Sequence, residues 1–192
     1  LEHPSVNEPL KALEQNGYEV IRLPVDRSGK LSLSSLRNAL QPNTIFVSMM
    51  LVNNEIGVIN PISEASKLIR SLCPRAIIHC DAVQGFGKIK VTPGKLGVDL
   101  LTVSAHKIHG PKGAGALYIK NGLHLPAYIL GGGQENGMFS GTEATPAIAG
   151  FGAAAAALPI DMRTTYKNVQ YLRDRLVDHV TSVPFVAVNS PS

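Results

Sequence analysis

Short apolar, β-branched runs alternate with amphipathic helical patterns along this chain, and no other feature restricts the fold as much. Residues 44–52 (TIFVSMMLV) form a continuous apolar run of the kind a buried parallel strand requires. Residues 76–80 (AIIHC), 99–104 (DLLTVS) and 115–120 (GALYIK) are three further strand candidates, and residues 18–25 a fourth. Between them lie helical patterns. Glu8-Pro9 opens one that Gly17 closes, residues 33–40 form a short second, and residues 63–72 carry Ala65, Leu68, Ile69 and Leu72 on one face. From Thr145 the pattern turns helical: residues 146–157 are Ala-rich and residues 165–180 form a long amphipathic helix, after which residues 183–188 start a strand. Strand–helix–strand alternation predicts an α/β domain with a mostly parallel sheet flanked by helices.

Composition narrows the functional classes. Of 192 residues, 44% are hydrophobic and 17% charged, the reverse of a disordered chain. No apolar run approaches the ~18 residues of a membrane span, so no membrane partner is expected. Two cysteines cannot build a disulfide framework, and a reducing, intracellular setting follows. The net charge is +4 with no block of like charges, and aromatics are only 5%, which argues against a nucleic-acid surface. The chain opens on Leu1 rather than Met and closes on Pro191-Ser192, so it is read as a piece of a longer protein.

In parallel α/β sheets, ligands bind beyond the carboxyl ends of the strands. The polar residues that follow the apolar runs are Asn53-Asn54-Glu55, then Asp81 and Gln84, then Ser104-Ala105-His106-Lys107. A lysine in such a crevice can form a Schiff base with a carbonyl compound. If that compound is pyridoxal phosphate, the ring nitrogen needs a carboxylate, for which Asp81 is the candidate. Ser104 and His106 could hold the phosphate, and the glycines from 110 to 115 let the backbone turn tightly beside it. Plainer readings stand beside this one. A lone lysine is usually a surface residue, and an Asp after a strand is usually a turn former. His106 and His109 have the spacing of metal ligands on a helix, but Gly110 and Pro111 oppose a helix there. His79 and Cys80 would point to opposite faces of a strand, so no metal site is expected. Cys73 and Cys80 read as structural. Gly131-Gly132-Gly133 lacks the Lys-Ser or Lys-Thr of a phosphate-binding P-loop.

Four ordered motifs then carry a resemblance. They are Val52-Asn53-Asn54-Glu55-Ile56-Gly57-Val58-Ile59, His79-Cys80-Asp81-Ala82-Val83-Gln84, Ser104-Ala105-His106-Lys107-Ile108-His109-Gly110-Pro111-Lys112-Gly113, and Gly131-Gly132-Gly133-Gln134-Glu135 through Ser140-Gly141-Thr142-Glu143. In this order they resemble the cysteine desulfurases of the NifS/IscS type, pyridoxal-phosphate enzymes of the class-V aminotransferase superfamily with fold type I. The resemblance runs from Glu2-His3-Pro4 to about Gly152. It implies that Lys107 binds the cofactor and moves the catalytic proton, that Asp81 pairs with the pyridine nitrogen, and that His3 stacks on the ring and assists acid–base steps. Gln84 and Asn54 would contact the phenolic oxygen, Ser104 and His106 the phosphate, and Thr142 the phosphate of a neighbouring subunit in a homodimer. The implied reaction takes sulfur from L-cysteine, leaving L-alanine and an enzyme persulfide for a sulfur-acceptor or scaffold protein of iron–sulfur cluster assembly. The compartment implied is the cytoplasm, or the mitochondrion in a eukaryote.

The sequence departs from the family at Phe139, where arginine is usual, and at Ala144, where asparagine is frequent. By the resemblance, a first phosphate-binding loop precedes His3, and the mobile-loop cysteine and a substrate-carboxylate arginine follow Ser192. Residues 1–152 are expected to form the central part of the large, cofactor-binding domain. Residues 153–192 would supply connecting helices and the start of a small domain. The piece alone is expected not to turn over. Rival readings are a selenocysteine lyase, a cysteine-sulfinate desulfinase and a non-catalytic α/β remnant.

Overall fold

The computed structural model describes residues 1–189. It begins with α1 (Pro4–Gln15). This helix starts earlier than its Glu8-Pro9 signal suggested, because Pro4 occupies the first turn and His3 Nδ1 accepts the Ser5 N–H as the N-cap. Pro9 therefore sits inside the helix. Gly17 adopts φ +87°, the left-handed conformation that turns the chain away. Next come α2 (Leu33–Ala39), β1 (Phe46–Met50), α3 (Ile62–Leu72), β2 (Ile77–Asp81), the single turn α4 (Pro93–Leu96), β3 (Leu100–Ser104) and β4 (Gly115–Ile119). α5 (Thr145–Ala156), the short α6 (Met162–Thr165) and α7 (Lys167–Thr181) complete the described chain.

The sheet has the order β1-β2-β3-β4. The first three strands are parallel and β4 returns antiparallel to β3, as the quick succession of the last two runs requires. Strand alternation divides the side chains cleanly. Met49, Ile78, Cys80 and Leu101 face the helical layer, where they pack with Leu36 of α2 and Ile62, Ala65 and Ile69 of α3. Ile69 and Ile78 are fully buried, each a burial worth about 1.5–3 kcal/mol. The buried face of α3 differs from the expected one: Ile62 and Ser66 join Ala65 and Ile69 in the interior, and Leu72 is exposed. Phe46, Ser48 and Met50, His79 and Asp81, and Thr102 and Ser104 occupy the alternate positions of β1, β2 and β3, on the opposite face.

Three expected elements differ. Residues 18–25 form no strand, and among the described residues their one bridge is Val25 to Leu31. A cavity of about 690 Å³, lined by this segment and by β1, lies along the β1 edge of the sheet. The long C-terminal helix is divided at Tyr166, whose backbone leaves helical geometry (ψ 6°) and whose hydroxyl donates to the Gly87 carbonyl. Residues 183–188 form no strand: Phe185 takes φ +68°, and no neighbouring strand is present among the described residues to pair with them.

Candidate active site

The carboxyl ends of β1, β2 and β3 lie side by side, and most of the expected site residues gather there. Asp81 ends β2 and is only 4% exposed. Its Oδ1 accepts the Val83 N–H at 2.9 Å, so the plain turn-forming role is real. The register nevertheless puts Asp81 between Met50 of β1 and Thr102 of β3. Ser104 ends β3, and a 3₁₀ turn (Ala105–Ile108) carries His106 and Lys107. Ser104 Oγ and His106 Nδ1 are 2.7 Å apart. Lys107 is exposed on the same turn.

Local backbone geometry explains this turn. His109 closes it in the left-handed conformation (φ +66°), and the Gly110 N–H returns to the Ala105 carbonyl at 2.9 Å. A Cβ on Gly110 would stand 3.0 Å from that carbonyl oxygen, and one on Gly115 would stand 2.9 Å from the Val103 oxygen. Glycine is therefore needed at both positions for the chain to double back from β3 into β4 without displacing the lysine turn.

Gln84 lies in the turn after β2, and its Oε1 accepts from Lys88 Nζ at 2.9 Å. That leaves the Gln84 amide NH₂ as its available donor. Lys88 was not singled out from the sequence, although its spacing of four residues from Gln84 was visible there. Burial lowers the pKa of the Lys88 ammonium, and the nearby Lys107 charge lowers it further. Among the asparagines after β1, Asn53 is the structural one. It is 7% exposed, its Oδ1 accepts the Glu55 and Ile56 N–H groups, and its Nδ2 donates to the Leu1 carbonyl. Asn54 is exposed at the turn.

The first residues lie over the same strand ends. Ser48 Oγ donates to Glu2 Oε2 at 3.4 Å, and Asn53 donates to the Leu1 carbonyl. The His3 ring is exposed and bonded to Ser5 of its own helix. Thr142 is exposed in the loop before α5, and among the described residues no hydrogen bond joins it to the other candidate site residues. The adjoining loop is closed by Ser140 Oγ accepting the Gly133 N–H and by Gln134 Oε1 accepting the Gly141 N–H. Phe139 stacks on Tyr128 with ring centroids 5.9 Å apart. α5 packs beneath the lysine turn, with Gly150 against Pro111.

Cys80 and His79 point to opposite faces of β2, as strand alternation requires. Cys80 lies in the core while His79 faces the polar side, and burial pushes the Cys80 thiol up to about 12. Cys73 closes α3 and donates its thiol to the Gln41 carbonyl. Among the described residues no three His, Cys, Asp or Glu side chains gather as a metal site, and no helix is long and apolar enough to cross a membrane. The donor set at the strand ends is an amine, a buried carboxylate, an amide NH₂ and a hydroxyl–imidazole pair. This set matches the aldehyde, ring nitrogen, phenolic oxygen and phosphate of pyridoxal phosphate. The sequence missed one group on the same face: Ser48, His79 and Thr102, joined to each other by hydrogen bonds. Its signal was the polar residues placed inside otherwise apolar strands.

The aminotransferase class-V family matches residues 1–192. A probable mitochondrial cysteine desulfurase of Schizosaccharomyces pombe is 42% identical over 190 residues, covering 98% of this chain and 38% of that protein. Among solved structures, a NifS-like protein superposes with a TM-score of 0.94 at 36% identity, over 99% of this chain and 52% of its own. SspA in complex with cysteine gives 0.83 at 32% identity, over 93% and 50% respectively. The chain thus spans about half the length of these solved chains and less of the yeast relative.

Proposed function

The chain belongs to the class-V aminotransferase family, and on that premise we propose that the whole protein is a pyridoxal-phosphate-dependent cysteine desulfurase. The observation that carries this reading is the placement of Asp81 and the Ser104–His106–Lys107 turn at the ends of neighbouring parallel strands. Pyridoxal phosphate, when bound, supplies an electron sink for the α-carbon of an amino acid. The chain's own residues would do the rest. Lys107 Nζ holds the aldehyde carbon and carries the proton to and from the substrate. The Asp81 carboxylate keeps the ring nitrogen protonated. Ser104 and His106 bind the phosphate, helped by Thr142 from across a homodimer. The Gln84 amide NH₂, anchored by Lys88, donates to the phenolic oxygen, with Asn54 beside it. His3 covers the ring and assists proton movement.

The substrate on this reading is L-cysteine, the compound named with the SspA structure. A cysteine thiolate would attack the substrate sulfur, so that the S–S bond of a persulfide forms as the carbon–sulfur bond breaks with its electron pair left on carbon, and protonation there gives alanine. Neither Cys73 nor Cys80 fits that thiolate, since both are buried. The nucleophile therefore lies outside this stretch of chain. The persulfide would serve a sulfur-acceptor protein, in the cytoplasm or, as for the named yeast relative, in mitochondria. Residues 1–152 belong on this view to the large domain, and 153–192 lead towards a smaller one.

The full-length protein tests the proposal. With pyridoxal phosphate it should show a visible band at ~420 nm from the lysine-bound cofactor and should release alanine from L-cysteine. Lys107→Ala should lose both. A full-length protein without the band, or a Lys107→Ala variant that keeps it, defeats the reading.

A further inference from the structure

His79 is a buried histidine on the same face of β2 as Asp81, two residues before it, and the roles above leave it unused. It is 8% exposed, and both of its ring nitrogens are engaged by neighbouring strands. Nδ1 lies 2.9 Å from Ser48 Oγ of β1, and Nε2 lies 3.2 Å from Thr102 Oγ1 of β3. The Phe46 ring stacks beside it at 6.2 Å. Ser48 also donates to Glu2 Oε2 at 3.4 Å. Thr102 reaches His79 on the diagonal, because its direct partner in the β2–β3 ladder is Asp81.

We propose that His79 is a positioning residue of the active site, coupling the Glu2 carboxyl through Ser48 to the orientation of the Thr102 hydroxyl beside Asp81. The inference rests on the reading of Asp81 as the partner of the cofactor ring.

Hydrogen counting sets the direction of each bond. A neutral imidazole has one N–H and one bare nitrogen, and a hydroxyl has one hydrogen. Ser48 gives its hydrogen to the Glu2 carboxylate, so it must accept from His79 Nδ1–H. Nε2 is then bare and accepts the Thr102 hydroxyl hydrogen. When Glu2 is protonated the order can reverse: Glu2 donates to Ser48, Ser48 to Nδ1, and Nε2–H to Thr102. The Thr102 hydroxyl hydrogen is then released next to Asp81. The move is a rearrangement of hydrogens within the chain, with a single proton taken up at Glu2.

The electrostatic surroundings favour this arrangement. Burial lowers the pKa of the His79 ring, against the opposing pull of Asp81, which keeps the imidazole neutral. Burial raises the pKa of the Glu2 carboxyl, opposed by the Met50 N–H and reinforced by Asp81. The charged group facing the relay besides Glu2 is Asp81 from β2. β1 contributes the Ser48 hydroxyl and the Phe46 ring, and β3 the Thr102 hydroxyl.

The test uses the full-length protein with and without pyridoxal phosphate. Ring ¹⁵N signals of His79 should show a neutral ring with its proton on Nδ1 near neutral pH. In Glu2→Gln the side-chain oxygen can take the Met50 N–H and the NH₂ can turn to Ser48, so the proton should move to Nε2. In Ser48→Ala/Glu2→Gln the tautomer should equal that of Ser48→Ala alone. In the loaded protein, Thr102→Val should shift the pH midpoint of the visible band by roughly half to one pH unit, the effect of one neutral hydrogen bond. Thr102→Ser should restore it. A doubly protonated His79, an unchanged tautomer in Glu2→Gln, or an unmoved midpoint in Thr102→Val overturns the proposal. If the wild type shows no visible band, the cofactor reading fails separately, and the tautomer measurement still decides the relay because it needs no cofactor.

Discussion

Ser104 Oγ and His106 Nδ1 stand 2.7 Å apart across the first residues of one 3₁₀ turn, with Lys107 directly following. The pair is exposed, so the bond does not stabilise a core. It orients a hydroxyl and an imidazole beside the lysine. Each should therefore matter for the cofactor and little for folding. Ser104→Ala and His106→Ala in the full-length protein should each weaken pyridoxal-phosphate binding about 10-fold or more, the worth of one hydrogen bond to a charged group. Equilibrium titration of the visible band measures this. Unchanged affinity in both variants would remove the pair from the phosphate site.

Asp81→Asn separates the two roles of that side chain. The amide oxygen can still accept the Val83 N–H, so the turn after β2 should persist. The negative charge is lost. Turnover of L-cysteine should fall on the order of 10²–10³-fold, as when one preorganised electrostatic contact is deleted. The thermal midpoint should stay within a few degrees. A large drop in stability with turnover preserved would make Asp81 a turn former only.

Asp99 anchors the sheet away from the site. Its carboxylate accepts the Ile78 N–H at 2.9 Å and pairs with Arg70 of α3, while Lys120 after β4 lies 3.4 Å from the other oxygen. Burial works to raise its pKa, but the Ile78 N–H and Arg70 outweigh it and hold the carboxyl below its usual range. The folded value is thus below the unfolded value of roughly 3.9. The stabilisation is present above about pH 4 and is lost as pH falls through the folded value. Asp99→Asn should cost about 1–3 kcal/mol at pH 7, and the gap to wild type should narrow at pH 3. Urea unfolding of the full-length protein at both pH values checks this, and an equal gap at both would refute it.

The elements that were legible in the sequence are those with a local cause. The apolar runs at 44–52, 76–80 and 99–104 became β1, β2 and β3 because each is buried on a helix-covered face, and the site followed from what stands after them. Residues 18–25 and 183–188 have the same β-branched composition, yet pairing needs a neighbour, and composition does not say whether one is there. The start of α1 was misplaced because Glu8-Pro9 is a stronger signal than a histidine N-cap. Asp81, Ser104, His106 and Lys107 were visible as polar residues at run ends. Ser48 and Thr102 were not, because their meaning lies in strand register: Ser48 sits opposite His79, and Thr102 opposite Asp81. Thr142 was named from a motif alone, and the part proposed for it needs a second subunit.

The two cysteines give the sharpest check on the sulfur chemistry. Cys80 is fully buried, faces the helical layer rather than the site, and has its thiol pushed up to about 12 by burial and by the Asp81 and Glu2 charges. At neutral pH it is a thiol, and a thiolate is what attacks sulfur. Cys73 sits at the far end of α3 with its thiol given to Gln41. Cys80→Ala should therefore leave turnover within about twofold while costing about 1–2 kcal/mol of stability for the small cavity. Cys73→Ala should behave alike. After reaction of the full-length protein with L-cysteine, mass spectrometry of its peptides should find the persulfide on a cysteine outside residues 1–192. A persulfide on Cys80 would mean that β2 opens during turnover, and the rigid-sheet account of the site would have to be abandoned.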